Sequence, residues 1–317
     1  MNRIGILTRD CAGINAGIRA VVRVACHHKI DVFGIQRGYE GLINGEVVPL
    51  ERFDVSGIIN RGGTILKTVR SKEFLTERGR EKAVETIKNN KIDGLIVMGG
   101  NGSLKGAHIL AEQYDIPVIG VPATIDNDIN GVERAIGSDT AVNVAVEALD
   151  KIRDTATSLE RIFVVEVMGR NSGYIAMQVA LAGGCEEVLV PEREFEMDTV
   201  LEEISEGYKI GKISWIIIVA EGKAKAQDIA QAIIEHTGYT TRVAVLGYIQ
   251  RGGSPTALDR NLAARLGSFA VEILKEGESD KCVCLNENKL STIPLEIAVK
   301  PKQLEIENFY RLIKILT

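Results

Sequence analysis

The sequence predicts an α/β fold with two doubly wound, Rossmann-like α/β domains and mainly parallel sheets. Short apolar runs rich in β-branched residues alternate with helical patterns along the chain, which is typical of βαβ units. The length of 317 residues corresponds to about two domains. Turns rich in glycine or acidic residues follow several of the apolar runs, where such folds bind their ligands.

The first half of the chain shows this alternation clearly. Its predicted strands are Ile4–Leu7, Asp31–Gln36, Ile92–Met98 and Pro117–Val121. Its predicted helices are Ala16–His28, Glu77–Asn89 and Gly106–Tyr114, each with apolar residues at helical spacing.

The alternation resumes after Gly137, where a seam between two units of similar size is expected. The predicted strands of the second half are Arg161–Val167, Val188–Val190, Trp215–Val219 and Arg242–Leu246. The predicted helices are Thr140–Ala156, Gly173–Leu181, Thr199–Tyr208, Asp228–His236 and Thr256–Lys275.

Composition argues against several functional classes. The formal net charge of −5 lacks the basic excess of nucleic-acid-binding domains. No apolar run reaches the roughly eighteen residues of a membrane span, and the N-terminus has no signal-peptide pattern, so we expect a cytoplasmic protein. We expect the cysteines to be reduced, buried thiols, with a metal or redox role as the alternative. They are Cys11, Cys26, Cys185, Cys282 and Cys284.

Five turns follow predicted strands and contain glycine or charged residues. They are 8–13, 99–103, 122–128, 168–173 and 247–253. Because ligands bind at the carboxyl ends of parallel strands, we expect these turns to line one cleft. Plain topology is the alternative for any single turn.

The turn Gly99-Gly-Asn-Gly-Ser103 is predicted to open a helix near Leu104. Glycines let a phosphate approach the backbone, and a helix N-terminus offers free N–H groups and a positive dipole end. Gly106 is expected to keep this helix open to a bulky ligand. The pattern is weak alone, because many turns between strands and helices are rich in glycine.

The segment Thr124-Ile-Asp-Asn-Asp128 is more specific. One carboxylate of the pair can take a proton from a substrate hydroxyl, while the other orients groups or a magnesium ion. The alternative is a turn that only caps the following helix.

Four arginines stand beside turns or strands in the second half. Arg170 and Arg251 lie within glycine turns, and Arg161 and Arg242 are each expected to precede a strand. Arginine binds phosphates through paired donors. The set indicates an anionic substrate, although a solvated surface role remains the alternative for any one of them.

Three motifs together resemble the ATP-dependent 6-phosphofructokinases of the bacterial type. They are Pro122-Ala-Thr-Ile-Asp-Asn-Asp128, Met168-Gly-Arg-Asn-Ser-Gly173 and Gln250-Arg-Gly-Gly-Ser-Pro255. The resemblance implies phosphoryl transfer from ATP to the 1-hydroxyl of fructose 6-phosphate, giving fructose 1,6-bisphosphate in glycolysis, with Mg²⁺ as cofactor. It implies a nucleotide-binding domain (1–137 plus 250–300) and a fructose 6-phosphate-binding domain (138–249 plus 301–317).

The resemblance also implies a role for each motif. Asp126 is expected to be the general base, and Arg170 to stabilise the transition state. Thr124 and Asp128 are expected to assist at the transferred phosphoryl group and the metal. The sugar phosphate is expected to contact Met168, Gly169, Glu221, Tyr248, Arg251 and, from a neighbouring subunit, Arg161 and Arg242. Tyr248 stands where many members have histidine.

The nucleotide side departs from the family pattern. Its expected residues are Arg9, Tyr39, Arg70, Arg80, Asn101, Gly102, Ser103 and Gly106, with Asn101 and Asp128 at the metal. Arg9 and Ala123 replace glycines of the pattern, Asn101 replaces an acid, and Leu75 stands where an arginine is expected. An amide is a weaker magnesium ligand than a carboxylate. Gly102 and Ala123 argue against the pyrophosphate-dependent branch.

The resemblance further implies a homotetramer with shared active sites and an effector site for ADP or phosphoenolpyruvate. The effector residues are expected to be Arg19, Arg23, Arg52, Arg153, Glu186 and Lys212; ordinary surface arginines are the alternative. A hetero-oligomer with a complete paralogue is the alternative assembly.

The alternative functions are a weakly active or non-catalytic regulatory paralogue that binds fructose phosphate and effectors, and a kinase with another sugar phosphate or donor.

Overall fold

The computed structural model of the chain describes residues 1–317. The chain divides into two compact units. Unit 1 comprises Met1–Thr140 and Arg251–Lys302, and unit 2 comprises Ala141–Gln250 and Gln303–Thr317. These divisions fall close to the domain limits given by the sequence analysis, while the ligand assigned to each domain stays a prediction.

The eleven strands form two sheets. The strands are β1 (Arg3–Thr8), β2 (Asp31–Ile35), β3 (Val47–Leu50), β4 (Gly94–Gly99), β5 (Val118–Pro122), β6 (Ile162–Val167), β7 (Glu187–Leu189), β8 (Trp215–Ala220), β9 (Thr241–Val245), β10 (Lys281–Asn286) and β11 (Lys289–Pro294). The sheet of unit 1 has the order β11-β10-β5-β4-β1-β2-β3, and that of unit 2 the order β7-β8-β6-β9. All pairs are parallel except the two edge pairs β2–β3 and β10–β11.

Eleven helices connect these strands. They are α1 (Ile14–His27), α2 (Tyr39–Asn44), α3 (Glu77–Asn89), α4 (Asn101–Tyr114), α5 (Ser138–Ser158), α6 (Tyr174–Gly183), α7 (Met197–Lys209), α8 (Ala226–Thr237), α9 (Ala257–Lys275), α10 (Leu295–Ala298) and α11 (Glu307–Leu316). Short 3₁₀ turns lie at Glu73–Leu75 and Gly247–Arg251. No helix combines the length and apolarity that a membrane span needs.

Helices cover both faces of the sheet in unit 1. Leu95 and Val97 of β4 belong to the core that α2, α3, α4 and α10 close on one face. Met98 points to the other face, where a Cβ added at Gly17 of α1 would lie 2.2 Å from its methyl group. Gly267 of α9 packs so closely on α1 that its own added Cβ would lie 3.0 Å from the Gly17 carbonyl oxygen. The predicted doubly wound α/β architecture is confirmed.

The core of unit 2 lies between its sheet and helices α7 and α8. The buried residues Val164, Ile217 and Val219 of β6 and β8 pack with Ile204 of α7 and Ile233 of α8. Strand β6 lies between β8 and β9, so the turns that follow these three strands are neighbours.

Three expectations need correction. Helix α4 begins at Asn101, because the Gly100 carbonyl already accepts from the backbone N–H groups of Ser103 (2.9 Å) and Leu104 (3.0 Å). Arg242 lies within β9 and does not precede it, since pairing with β6 begins at Thr241. The cysteines are free thiols, of which four are buried, but Cys26 is partly exposed.

Candidate active site

The carboxyl ends of β1, β4 and β5 lie side by side in unit 1. The backbone N–H of Arg9 donates to Met98 O at 3.0 Å, and that of Ala123 donates to Gly99 O at 3.0 Å. The chain continues from β1 to β2 and from β4 to β5, in opposite directions along the sheet. Doubly wound folds bind ligands in the crevice at the point where the strand order reverses in this way. The turns 8–13, 99–103 and 122–128 therefore share one edge of unit 1. That all five predicted turns line one cleft stays a prediction.

The first turn of α4 presents unpaired backbone donors at this edge. No side chain caps the helix at Gly100, and the Ser103 N–H already donates to Gly100 O, so the N–H groups of Asn101 and Gly102 are those available to an anion. Gly99 allows close packing, because an added Cβ would lie 2.7 Å from the Ser103 hydroxyl. Gly102 faces open space, with no atom within 4 Å of an added Cβ. This geometry suits a phosphate group.

The turn after β5 holds Asp126 in a buried position. Asp126 is only 3% exposed, and its backbone N–H donates to Thr124 Oγ1 at 3.2 Å. Asn127 takes a left-handed conformation (φ 48°). Its side chain donates to Glu133 O at 3.0 Å and accepts from Ala135 N at 2.8 Å. The segment is an Asx-rich turn, but it does not cap the following helix, since α5 begins only at Ser138.

Asn101 and Asp128 form a direct pair. The Asn101 Nδ2 atom donates to Asp128 Oδ2 at 2.7 Å and to Asp128 O at 3.2 Å. The other oxygens of the two side chains, Asn101 Oδ1 and Asp128 Oδ1, are buried and have no hydrogen-bond partner. Two such oxygens fit Mg²⁺, which prefers oxygen ligands. No three His, Cys, Asp or Glu residues converge on a metal site, so further ligands would come from substrate phosphates and water.

The Arg9 side chain packs along the glycine turn. An added Cβ at Gly99 would lie 3.0 Å from Arg9 Cγ. The guanidinium donates through Nη1 to Thr68 Oγ1 at 3.3 Å and to Val69 O at 3.2 Å. Arg9 thus fills space above Gly99 and ties the segment before Arg70 to the end of β1.

Gly106 was expected to keep α4 open to a bulky ligand, and this expectation is wrong. An added Cβ would lie 2.8 Å from both Cζ and Oη of Tyr39, so the glycine admits this ring and does not leave space for a ligand. The Tyr39 hydroxyl donates to Ser103 O at 2.7 Å, and the ring stacks on Phe74 with centroids 4.0 Å apart. Burial raises the pKa of Tyr39 well above its usual range. Tyr39 therefore braces the first turn of α4.

The remaining expected nucleotide residues lie on the loop before α3 and on α3 itself. The Arg70 side chain is exposed. Arg80 donates to Leu75 O at 2.9 Å, and the Leu75 side chain is 77% exposed. No contact joins Arg70 or Arg80 to the glycine turn, so their nucleotide role stays a prediction.

In unit 2, Glu221 fixes the turn that contains Arg170. Its Oε1 atom accepts from the backbone N–H groups of Arg170 (2.9 Å) and Gly169 (3.3 Å). Arg170 has a left-handed backbone (φ 53°) and an exposed side chain. An added Cβ at Gly222 would lie 1.7 Å from the Arg170 carbonyl oxygen, so only glycine fits there. These bonds and the close approach of Gly222 fix the backbone of the turn at Arg170.

Of the other expected sugar-phosphate residues, Met168 and Tyr248 follow the carboxyl ends of β6 and β9, whereas Arg161 and Arg242 lie at the amino ends of these strands. Met168 N donates to the buried Gln250 Oε1 at 3.3 Å, a positioning contact that the sequence analysis missed although Gln250 lies in a quoted motif. Tyr248 is 80% exposed, and Arg242 donates to Thr241 O at 3.3 Å. Arg161 immediately precedes β6, and Arg251 is the first residue of the second segment of unit 1.

The expected effector residues fall into two groups, one in each unit. In unit 1, partial burial and the positive charges of Arg19 and Arg52 lower the pKa of Arg23, so three cations lie close together. In unit 2, Lys212 Nζ lies 3.2 Å from Glu186 Oε1 beside a cavity of about 530 Å³. Arg153 donates to the carbonyls of residues 183 and 184.

The chain is similar to known proteins over nearly its whole length. Residues 3–274 match the family model of phosphofructokinase. The ATP-dependent 6-phosphofructokinase of Bacillus subtilis is 49% identical over 319 residues, and that of Thermotoga petrophila is 48% identical over 319 residues, with all of each chain covered in both cases. That of Natranaerobius thermophilus is 53% identical, with 92% of this chain and 91% of the relative covered.

Solved structures show the same fold. The phosphofructokinase of Saccharomyces cerevisiae matches with a TM-score of 0.88 at 34% identity, over 94% of this chain and 45% of the yeast chain. A pyrophosphate-dependent phosphofructokinase from Marinobacter aquaeolei has a TM-score of 0.86 at 23% identity, over 99% of this chain and 91% of that one, which speaks for the fold alone. The family match and the identities over the whole length show that the chain belongs to the phosphofructokinase family.

Proposed function

We propose that the chain transfers the γ-phosphoryl group of ATP to the 1-hydroxyl of fructose 6-phosphate. Relatives that are 48% and 49% identical over the full length carry the name ATP-dependent 6-phosphofructokinase. The observation that carries the proposal is Asp126, a residue only 3% exposed, in the turn that Asp128 joins to Asn101 at the start of α4. Phosphoryl transfer needs a positioned base together with groups that stabilise charge on the phosphate.

Asp126 takes the proton from the 1-hydroxyl as the oxygen attacks phosphorus. Thr124 accepts from the Asp126 backbone N–H and thereby sets the direction of the carboxyl group. The first N–H groups of α4 bind the phosphates of the donor. A preorganised base contributes about 10²–10⁴-fold to the rate of such a step.

Magnesium is the proposed cofactor. Asn101 Oδ1 and Asp128 Oδ1, the two buried oxygens without partners, would hold the ion. When bound, it neutralises charge on the phosphate oxygens. Because Asn101 already donates to Asp128, the pair is held in place by its own hydrogen bond.

Unit 2 supplies the proposed sugar-phosphate side. Arg170 stabilises the charge that develops on the transferred group, and Glu221 holds the Arg170 turn. Met168, Gly169 and Tyr248 of unit 2 and Arg251, the first residue of the second segment of unit 1, bind the sugar phosphate. Arg161 and Arg242 reach it from a neighbouring subunit of a homotetramer, so isolated subunits are inactive. Light scattering on the purified protein tests this assembly, and co-expression with a paralogue tests a hetero-oligomer.

The proposed effector is ADP or phosphoenolpyruvate. The cations Arg19, Arg23 and Arg52 of unit 1 and the pair Lys212–Glu186 of unit 2 suit a polyanion. Calorimetric titration of each compound into wild-type protein and Arg23→Met tests this, with lost binding in the variant as the expected result.

A coupled assay with fructose 6-phosphate and magnesium tests the reaction. ATP, ADP, GTP and pyrophosphate are compared as donors. We expect turnover with ATP and the largest kcat/KM for it. Turnover with pyrophosphate alone would overturn the donor assignment.

Arg9 favours a second candidate function, a weakly active or regulatory paralogue. Its side chain occupies space above Gly99, on the side where the donor phosphates are proposed to bind. Calorimetric binding of fructose 6-phosphate without turnover from any donor would support this candidate.

A further inference from the structure

The turn that carries Asp126 and Asp128 is supported from one side by residues 297–302, the supporting segment. Asn130 N donates to Ala298 O at 3.3 Å, and Asn130 Nδ2 donates to Ile297 O at 3.2 Å. Ile129 forms an antiparallel bridge with Pro301. The supporting segment is therefore paired with the backbone that directly follows the two carboxylates.

Lys302 is the last residue of this segment, and its side chain contacts the turn itself. Its Nζ atom donates to Asn127 O at 3.0 Å and to Val132 O at 2.7 Å. One of these bonds holds the carbonyl of Asn127, the residue that stands between Asp126 and Asp128 in sequence. The other bond joins the same ammonium group to the end of the loop. Lys302 thus ties the two ends of residues 127–132 together.

Lys302 is partly buried, close to Asp128 and Glu133. Burial lowers its pKa, while the charges of Asp128 and Glu133 act in the opposite direction. Lys302 makes no ion pair within 4.0 Å, and its ammonium group donates to two backbone carbonyls. Without the ammonium group, two partly buried carbonyl oxygens would lose their donor, which costs about 1–3 kcal/mol for each group left unsatisfied.

We propose that Lys302 is a positioning residue that fixes Asp126 and Asp128 for phosphoryl transfer by holding the Asn127 peptide between them. This proposal rests on the proposed function. Lys302 does not touch substrate and acts through the backbone of the turn. Its loss should therefore lower kcat and leave the binding of fructose 6-phosphate nearly unchanged. Misplacement of a reacting group by about 1 Å costs on the order of 10²-fold in rate.

Three variants test the proposal. Lys302→Met removes both hydrogen bonds and the charge, and we expect kcat to fall about 100-fold with little change in the KM for fructose 6-phosphate. Lys302→Gln keeps N–H donors without the charge, and we expect it to recover part of the loss. The control is Lys300→Met on the same segment, since Lys300 is exposed and pairs with Glu296 at 3.0 Å. Its kcat should equal that of wild type.

Hydrogen exchange supplies a readout that needs no turnover. Peptides covering 124–133 should exchange faster in Lys302→Met than in Lys300→Met. Wild-type kcat and exchange rates in Lys302→Met would overturn the proposal, as would a parallel loss of kcat and fructose 6-phosphate binding without recovery in Lys302→Gln. An inactive wild-type protein would overturn the proposed function instead, and the exchange rates would still decide whether Lys302 fixes the turn.

Discussion

The side-chain amide of Asn101 donates a 2.7 Å hydrogen bond to the Asp128 carboxylate. This bond joins the first turn of α4 to the turn that carries Asp126. An aspartate at position 101 has no N–H to donate and would face Asp128 as a like charge. In this chain the two turns are therefore held together by a hydrogen bond, where two carboxylates would need a cation between them.

We predict that Asn101→Asp raises the magnesium-ATP-dependent activity, because a second carboxylate binds Mg²⁺ more strongly than an amide does. The same change should lower the Tm by a few degrees in the presence of a chelator, since a bond to a charged acceptor is worth about 1.5–3 kcal/mol. Kinetic titration with magnesium and thermal denaturation with and without chelator measure both effects. Unchanged activity would show that Asn101 does not limit the reaction.

Arg9 is predicted to restrict the approach of the donor. Arg9→Gly should lower the KM for ATP, because it opens the space above Gly99, and should lower stability by removing the bonds to Thr68 and Val69. Arg9→Lys is the matched control, since its side chain still covers Gly99. Steady-state kinetics of the two variants measures the KM for ATP. A higher KM in Arg9→Gly would contradict the prediction and would mean that Arg9 binds the donor.

Gly106→Ala is predicted to destabilise the protein by about 1–3 kcal/mol, the usual cost of overpacking. The new methyl group would overlap Tyr39, whose ring lies 2.8 Å from an added Cβ. Gly102→Ala in the same helix is the control, because no atom lies within 4 Å there and alanine favours helix. Thermal denaturation should separate the two variants. Equal Tm values would contradict the packing role of Gly106.

The cysteines give a prediction for labelling at alkaline pH. Burial raises the pKa of Cys185 to about 12 and raises the pKa values of Cys11 and Cys282 well above their usual range. A raised pKa keeps a thiol protonated and unreactive at pH 8, where the thiolate is the reactive form. Cys284 is fully buried and closed to reagents, so a thiol reagent should label Cys26 alone in the folded protein, and Cys26→Ser should abolish the signal. Rapid labelling of a second thiol before unfolding would contradict this.

Apolar periodicity was sufficient to predict most elements of the two sheets. Helix α3 (Glu77–Asn89) has the predicted limits because Thr76 caps it. The edge strands β3 and β11 escaped prediction, since each contains proline and exposed residues, which weaken the period-two signal. The six-residue helix α2 contains Gly41 and is too short for a helical period to stand out.

Candidate site residues could be predicted where a local motif places polar groups at the end of a strand. Asp126 and Asp128 follow β5 as the sequence predicts, and their catalytic roles stay predictions. The contact between Gly106 and Tyr39 was not predicted, because Tyr39 lies on another helix and no local sequence pattern indicates such a contact. Lys302 was missed for the same reason, as it binds the turn from 175 residues away in sequence.

Asp126 is proposed to be the base of a fructose 6-phosphate kinase. The most direct test compares wild type with Asp126→Ala in a coupled assay with ATP and magnesium, alongside calorimetric binding of fructose 6-phosphate. We predict turnover by wild type, a loss of about 10²–10⁴-fold or more in the variant, and nearly equal fructose 6-phosphate affinity in both. Equal turnover by the two proteins would contradict the claim.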